Sequence, residues 1–196
     1  DTLYYLASLT KSFTATSLLS VLRQQPPSPS PVTLETKLAS IIPDEFVLPD
    51  EYCTTNATIG DAASHLLGIG NYNLTYGSPG YSLRDAVESL RHLPMTGELR
   101  GKYQYANLGY MILQRTIEEL TGKPIEDSHR QHIWEPLAMS STYIKLGDAL
   151  TSDKTLADGH SWDPVHETVV RAPYTDDYPL VGGGGIITSL RDLLRY

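Results

Sequence analysis

The chain of 196 residues has a single cysteine, Cys53. One thiol excludes an internal disulfide and any cysteine-rich metal site. Positive charge is also short: 15 Lys and Arg stand against 23 Asp and Glu, for a formal net charge of −8. That balance excludes a broad electrostatic footprint for DNA or RNA phosphates. No apolar run approaches the roughly 20 residues of a membrane-spanning helix. Glycine and proline, at 15 and 13 residues, are too few for a low-complexity chain. What remains is an acidic chain of globular composition. It is long enough to bury most of its unfolded surface without covalent staples.

The opening residues, Asp1-Thr2-Leu3-Tyr4-Tyr5-Leu6-Ala7, read as the end of a strand with nothing to pair with. They carry no initiator Met and no signal-peptide pattern. The closing residues, Leu193-Leu194-Arg195-Tyr196, still lie in a helical pattern. The chain therefore reads as a piece of a longer protein. Between the ends the pattern is mostly helical. Residues 8–24 have apolar side chains at helical spacing and stop at Pro26-Pro27-Ser28-Pro29-Ser30-Pro31. Residues 33–42 read as a short helix closed by Pro43. Thr58-x-x-Asp61, Ser82-x-x-Asp85 and Ser189-x-x-Asp192 read as helix-starting caps. Residues 107–120 form the longest later helix, with Gly122 as its stop signal, and Pro124 opens another that runs to about Ile133. Residues 140–180 read as loop and short strand.

Two small motifs could carry chemistry. Ser8 and Lys11 have i,i+3 spacing at a helix start, which puts both side chains on one face. Backbone N–H groups there could stabilise an anion, and a desolvated lysine could activate the serine hydroxyl. Tyr105-Ala106-Asn107 precedes another helix, where a phenol could share a proton with a lysine and an amide could orient both. Taken alone, each motif also reads blandly, as a Ser or Asn helix cap beside a solvated Lys or a buried Tyr. His129-x-x-His132 reads as a helix end with favourable dipole contacts rather than a metal site, because nothing completes a ligand set. His160 and His166 read as loop residues, and His65 as a structural residue near the site.

The stretch Ala7-Ser8-Leu9-Thr10-Lys11-Ser12-Phe13-Thr14-Ala15 resembles the nucleophile helix of the serine beta-lactamase and penicillin-binding-protein superfamily, in its class C beta-lactamase and esterase branch. Tyr105-Ala106-Asn107-Leu108-Gly109-Tyr110 resembles that branch's Tyr-x-Asn motif. Further ordered matches are Thr33-Leu34-Glu35 through Ile42-Pro43, Thr58-Ile59-Gly60-Asp61 through His65-Leu66-Leu67-Gly68, Trp134-Glu135-Pro136-Leu137-Ala138-Met139-Ser140-Ser141-Thr142, and Gly183-Gly184-Gly185-Ile186-Ile187-Thr188-Ser189 with Asp192. Tyr76-Gly77-Ser78-Pro79-Gly80-Tyr81 is similar to fungal members. Leu67 stands where the family has Ser or Thr, and Ala138 where it has Gly. The family's third motif, Lys-Thr-Gly or His-x-Gly, does not occur after Asn107.

The resemblance implies an α+β, beta-lactamase/transpeptidase-like fold. Residues 1–196 would form a partial domain holding mainly its helical part, with the upstream strands and the third-motif strand missing and the stretch inactive by itself. It implies that Ser8 attacks an ester or amide carbonyl, that Lys11 and Tyr105 share the proton, and that Asn107 binds a substrate carbonyl. The acyl-enzyme would pass to water in a hydrolase or to a natural-product alcohol in an acyltransferase. A truncated, non-catalytic remnant is the third reading. No cofactor or metal is implied. The expected partner is a small ester or amide, with no nucleic acid and no membrane span, and the oligomeric state is open. The compartment is open too: one cysteine suits a cytosolic enzyme, while the sequons Asn56-Ala57-Thr58 and Asn73-Leu74-Thr75 permit glycosylation of a secreted one.

Overall fold

A computed structural model describes residues 2–73, 80–176 and 180–196. Tyr76 to Pro79 of the fungal-type stretch, and Leu74 and Thr75 of the second sequon, lie outside the described residues.

Two helices frame the interior. α1 (Thr10–Arg23) starts behind a single 3-10 turn, Ala7–Leu9, so Ser8 sits in that turn and Lys11 in the first turn of the α-helix. α1 buries Phe13, Leu18 and Val21, but also Thr10, Lys11, Thr14 and Ser17. A face that buries this many polar groups needs a partner for each. The next helices are α2 (Glu51–Asn56), α3 (Ile59–Ala63), α4 (Leu83–Glu88) and α5 (Asn107–Thr121), of which α3 and α4 pack on α5. α5 packs along α1 with Leu108, Ile112, Leu113 and Ile117 in the core. It closes at Gly122, whose φ of +66° is the left-handed stop that glycine adopts without a Cβ penalty. α6 (Ile125–His129) continues through a π turn, Arg130–Trp134.

The caps read from the sequence form. Thr58 and Asp61 make a reciprocal capping box, as do Ser82 and Asp85. Residues 33–42 do not form the expected helix beyond a 3-10 turn at Leu38–Ser40. Their backbone groups are engaged elsewhere: Leu38 N–H donates to Ala57 C=O, and Leu34 and Thr36 C=O accept from Gly60 and Ile59 N–H. Tertiary pairing with residues 57–60 thus overrides the local helical pattern.

The strands are more numerous than the sequence suggests. β1 (Thr2–Tyr5), β2 (Thr142–Tyr143), β3 (Thr155–Leu156) and β6 (Ile187–Ser189) form a four-stranded sheet in the order β2-β6-β1-β3. β4 (His160–Asp163) and β5 (Thr168–Arg171) form a separate hairpin. β1, expected to lack partners, runs parallel to β3 and antiparallel to β6. Those partners are two and three residues long, too short to display alternation in sequence. The sheet divides the interior: Leu6 and Ile186 join the large helical core, whereas Leu3 and Ile187 join a small cluster with Ala149 and Leu156. Ala149 belongs to α7 (Leu146–Thr151). β6 leads into α8 (Leu190–Leu193), which Ser189 caps by accepting from Asp192 N–H. The Asp192 carboxylate accepts from Ser141 N–H and Thr142 Oγ1, tying β2 to this helix start.

Two stability predictions follow from positions in this frame. His129 is wholly buried, with Nδ1 2.7 Å from Ser17 Oγ, and burial pushes its pKa down to about 3 from 6.5. The unfolded state therefore binds the proton first, so stability falls as pH drops below 6.5 toward about 3. Urea titrations across that range will show the slope, and His129→Gln will flatten it. Ala138 adopts φ +50°, a left-handed conformation that suits glycine better than a residue with a Cβ. Ala138→Gly should raise unfolding free energy by about 1 kcal/mol, read as a higher denaturation midpoint.

Candidate active site

Ser8, Lys11, Tyr105 and Asn107 meet at one place, where the Ala7–Leu9 turn and the two helices converge. The turn is entered through Ala7 at φ +45°, a strained left-handed conformation for a residue with a Cβ. Leu6 N–H is held by Ile186 C=O, which anchors the turn to the ends of the two central strands. Ser8 is exposed, and its Oγ lies 2.6 Å from the Tyr105 hydroxyl. Lys11, only 7% exposed, spends its donors on three acceptors: Ser8 Oγ at 3.3 Å, Asn107 Oδ1 at 2.6 Å and Gly183 C=O at 2.5 Å. Three acceptors satisfy the three N–H bonds of an ammonium. The same Nζ lies 4.8 Å from the centroid of the Tyr105 ring, within cation–π range.

The Tyr105 phenol is tuned by this arrangement. Burial alone would raise its pKa, but polar contact with Lys11 and Ser8, together with the ammonium's charge, outweighs that and holds it below its ordinary value. The phenolate form is thus more accessible than in a free tyrosine.

His65 supports Tyr105 from behind. Its Nδ1 accepts from Ala106 N–H at 3.2 Å, between Tyr105 and Asn107, and its ring lies 4.7 Å from that of Tyr105. With Nδ1 as acceptor, the ring proton sits on Nε2. Burial and the Lys11 charge lower the His65 pKa, which keeps the ring neutral in this role. His65 itself has φ +58°. This agrees with the expectation of a structural histidine near the site.

Two contributors were not anticipated as site residues. Gly183 was noted only within a glycine-rich approach to a helix, yet its carbonyl receives Lys11. The run can lie this close because Gly182 has no side chain: a Cβ there would stand 2.5 Å from Tyr110 O and 2.8 Å from Gln114 Cβ. Asn73 was noted only as a sequon, yet its Oδ1 accepts from Asn107 Nδ2 at 2.9 Å. The glycine run offered a signal, since four consecutive glycines imply close backbone approach. Asn73 offered none. His129 and His132 lie away from this cluster; His129 bonds Ser17, and His132 Nδ1 faces Gln24. Among the described residues no three His, Cys, Asp or Glu side chains group as metal ligands. No described helix is long and apolar enough to cross a membrane.

A serine, a tyrosine and a lysine linked by hydrogen bonds, with an asparagine amide alongside, is the constellation the motifs foreshadow, and a family model described as Beta-lactamase matches residues 1–196. The chain belongs to the Beta-lactamase family. It is 37% identical over 203 residues to an unguisins hydrolase of Aspergillus campestris, a match that covers 100% of this chain and 37% of that relative. Its fold matches an octameric penicillin-binding protein homologue from Pyrococcus abyssi with a TM-score of 0.82 at 22% identity, over 100% of this chain and 44% of the other. It matches a D-amino acid amidase from Ochrobactrum anthropi with a TM-score of 0.78 at 22% identity, over 100% and 54%. The chain thus spans little more than a third of its hydrolase relative and about half of these two structures. The beta-lactamase/transpeptidase-like α+β fold read from the motifs is the observed one.

The His65 support can be checked directly. His65→Leu removes the acceptor of a buried N–H and should cost about 1–3 kcal/mol in unfolding free energy by urea titration.

Proposed function

We propose that the protein containing this chain is a serine hydrolase that cleaves an amide through an acyl-enzyme, with Ser8 as nucleophile and Tyr105 as base. The observation that carries this reading is the 2.6 Å contact between Ser8 Oγ and the Tyr105 hydroxyl, against 3.3 Å from Lys11 to the same oxygen. The nearer group, whose lowered pKa makes its deprotonated form more accessible, is placed to take the proton. Lys11 keeps the phenolate accessible by its charge and holds the cluster together.

In the proposed cycle Tyr105 as phenolate takes the Ser8 proton while Oγ bonds to the carbonyl carbon. The carbonyl π electrons move to oxygen, and the Ser8 backbone N–H provides one donor to that oxyanion. The intermediate collapses, the C–N bond breaks, and Tyr105 returns the proton to the leaving nitrogen. Water then attacks the acyl ester while Tyr105 takes its proton; as the C–Oγ bond breaks, Tyr105 gives that proton to Ser8 Oγ, which releases the acid and restores both the hydroxyl and the phenolate. Asn107 Nδ2 donates one N–H to Asn73, which leaves its second N–H for a substrate carbonyl.

Amide hydrolysis is preferred over transfer to an alcohol because the relative at 37% identity is named a hydrolase of unguisins. A structural neighbour named as a D-amino acid amidase supports an amide as the scissile bond. The remnant reading is disfavoured by a complete hydrogen-bonded cluster around an exposed hydroxyl.

The test is covalent labelling of the full-length protein with a fluorophosphonate or penicillin probe, followed by peptide mass mapping. The adduct should fall on Ser8, and Ser8→Ala should lose both adduct and turnover while keeping its melting temperature. Retained turnover in Ser8→Ala would refute the assignment.

A further inference from the structure

We infer that Gln114 and Thr14, two buried residues outside the reacting cluster, are positioning residues that set the place of the Lys11 ammonium by clamping the glycine run. The inference rests on the serine-hydrolase reading above.

Gln114 lies two helical turns beyond Asn107 on α5, at i+7, and so on the same face. It is 1% exposed. A glutamine buried this deeply needs partners on both ends of its amide. Its Oε1 accepts from Gly182 N–H at 2.8 Å, and its Nε2 donates to Glu118 Oε1 at 3.1 Å. Glu118 in turn accepts from Ile125 N–H at 3.1 Å, which fixes the carboxylate and hence which way the Gln114 amide points. Thr14, 0% exposed and three residues after Lys11 on α1, donates its hydroxyl to Gly182 C=O at 2.8 Å. Thr10 Oγ1 accepts from Ile186 N–H at the far end of the run.

Gly182 is therefore held on its N–H by α5 and on its C=O by α1. The next carbonyl along, Gly183 C=O, is the 2.5 Å acceptor of Lys11. Glycine has the widest backbone freedom of any residue, so a run of four has no intrinsic preference for this path. Gly184 and Gly185 N–H donate to Val181 C=O and close a turn, and the two side-chain bonds set where that turn sits against α1 and α5; without them the Gly183 carbonyl shifts with the turn. Lys11 would then lose a defined acceptor, and its place beside Ser8 and Tyr105 would loosen. Misplacement of a catalytic group by about 1 Å can cost on the order of 100-fold in rate.

The experiment compares the full-length protein with Gln114→Leu, Thr14→Val and Thr14→Ser. Each is measured for the rate of Ser8 acylation by a fluorophosphonate probe across pH and for thermal unfolding. Gln114→Leu and Thr14→Val should slow acylation about tenfold or more and displace the pH–rate profile, since the charged groups around Ser8 and Tyr105 move. Thr14→Ser keeps the donor and should keep both rate and profile. Thr14→Val is close in shape to the native residue and decides the matter if Gln114→Leu does not fold. A lower melting temperature with an unchanged rate and profile in the folded variants would mean a purely structural role and would overturn the inference. So would a Thr14→Ser variant as slow as Thr14→Val. A wild-type protein that takes no label refutes the hydrolase reading itself, and the clamp as a catalytic device with it, whereas a labelled wild type with indifferent variants refutes only the clamp.

Discussion

A buried ammonium organises this structure. An isolated charge removed from water costs several kcal/mol even after relaxation, so it persists only with full hydrogen-bonding compensation. Lys11 obtains that compensation from three places in the chain, 3, 96 and 172 residues away. Each acceptor belongs to a different element: the turn before α1, the start of α5, and the glycine run before β6. Satisfying the lysine therefore requires that these three elements meet, and the meeting point is where the serine and the tyrosine stand. The stability requirement and the chemical arrangement are imposed by the same bonds.

The neighbouring backbone carries the complementary cost. Ala7 and His65 both adopt left-handed conformations that residues with a Cβ avoid. Ala7 aims the turn that presents Ser8, and His65 supports the strand-like approach to Tyr105 through its bond to Ala106 N–H. Strain of this type persists only where surrounding contacts over-determine the conformation. Here the over-determination is visible: Leu6 N–H is fixed to Ile186, and His65 C=O accepts from Gln104 N–H while its ring accepts from Ala106. The two strained residues lie under the two groups whose oxygens come within 2.6 Å.

The legibility of this arrangement in the sequence followed the range of the interactions. Ser8 and Lys11 could be paired because an i,i+3 spacing is a local geometric fact. The capping boxes at Thr58 and Ser82, and the stop at Gly122, were readable for the same reason. Joining Tyr105 and Asn107 to Ser8 required the resemblance, because nothing in local pattern connects residues 97 apart. Asn73 and Gly183 escaped notice as site residues because the bonds they make to Asn107 and Lys11 span 34 and 172 residues. Residues 33–42 misled because their helical pattern is real but their backbone groups are consumed by residues 57–60. The partners of β1 were hidden because strands of two and three residues carry no period.

These observations also place the division of labour within the fold. The contacts that hold Lys11 come from the turn before α1, the start of α5 and the glycine run, on the side of the large core cluster. β1 and β6 contribute through their ends, at Leu6 and Ile186, where the chain leaves the sheet and turns toward the site. The hydrogen-bonded cluster of Ser8, Lys11, Tyr105 and Asn107 is thus rooted in the helical core rather than in strand side chains. Changes to strand residues facing the small cluster of Leu3, Ala149, Leu156 and Ile187 reach the lysine only through Leu6 and Ile186. Changes to Thr14 or Gln114 reach it through Gly182 and the neighbouring Gly183 carbonyl.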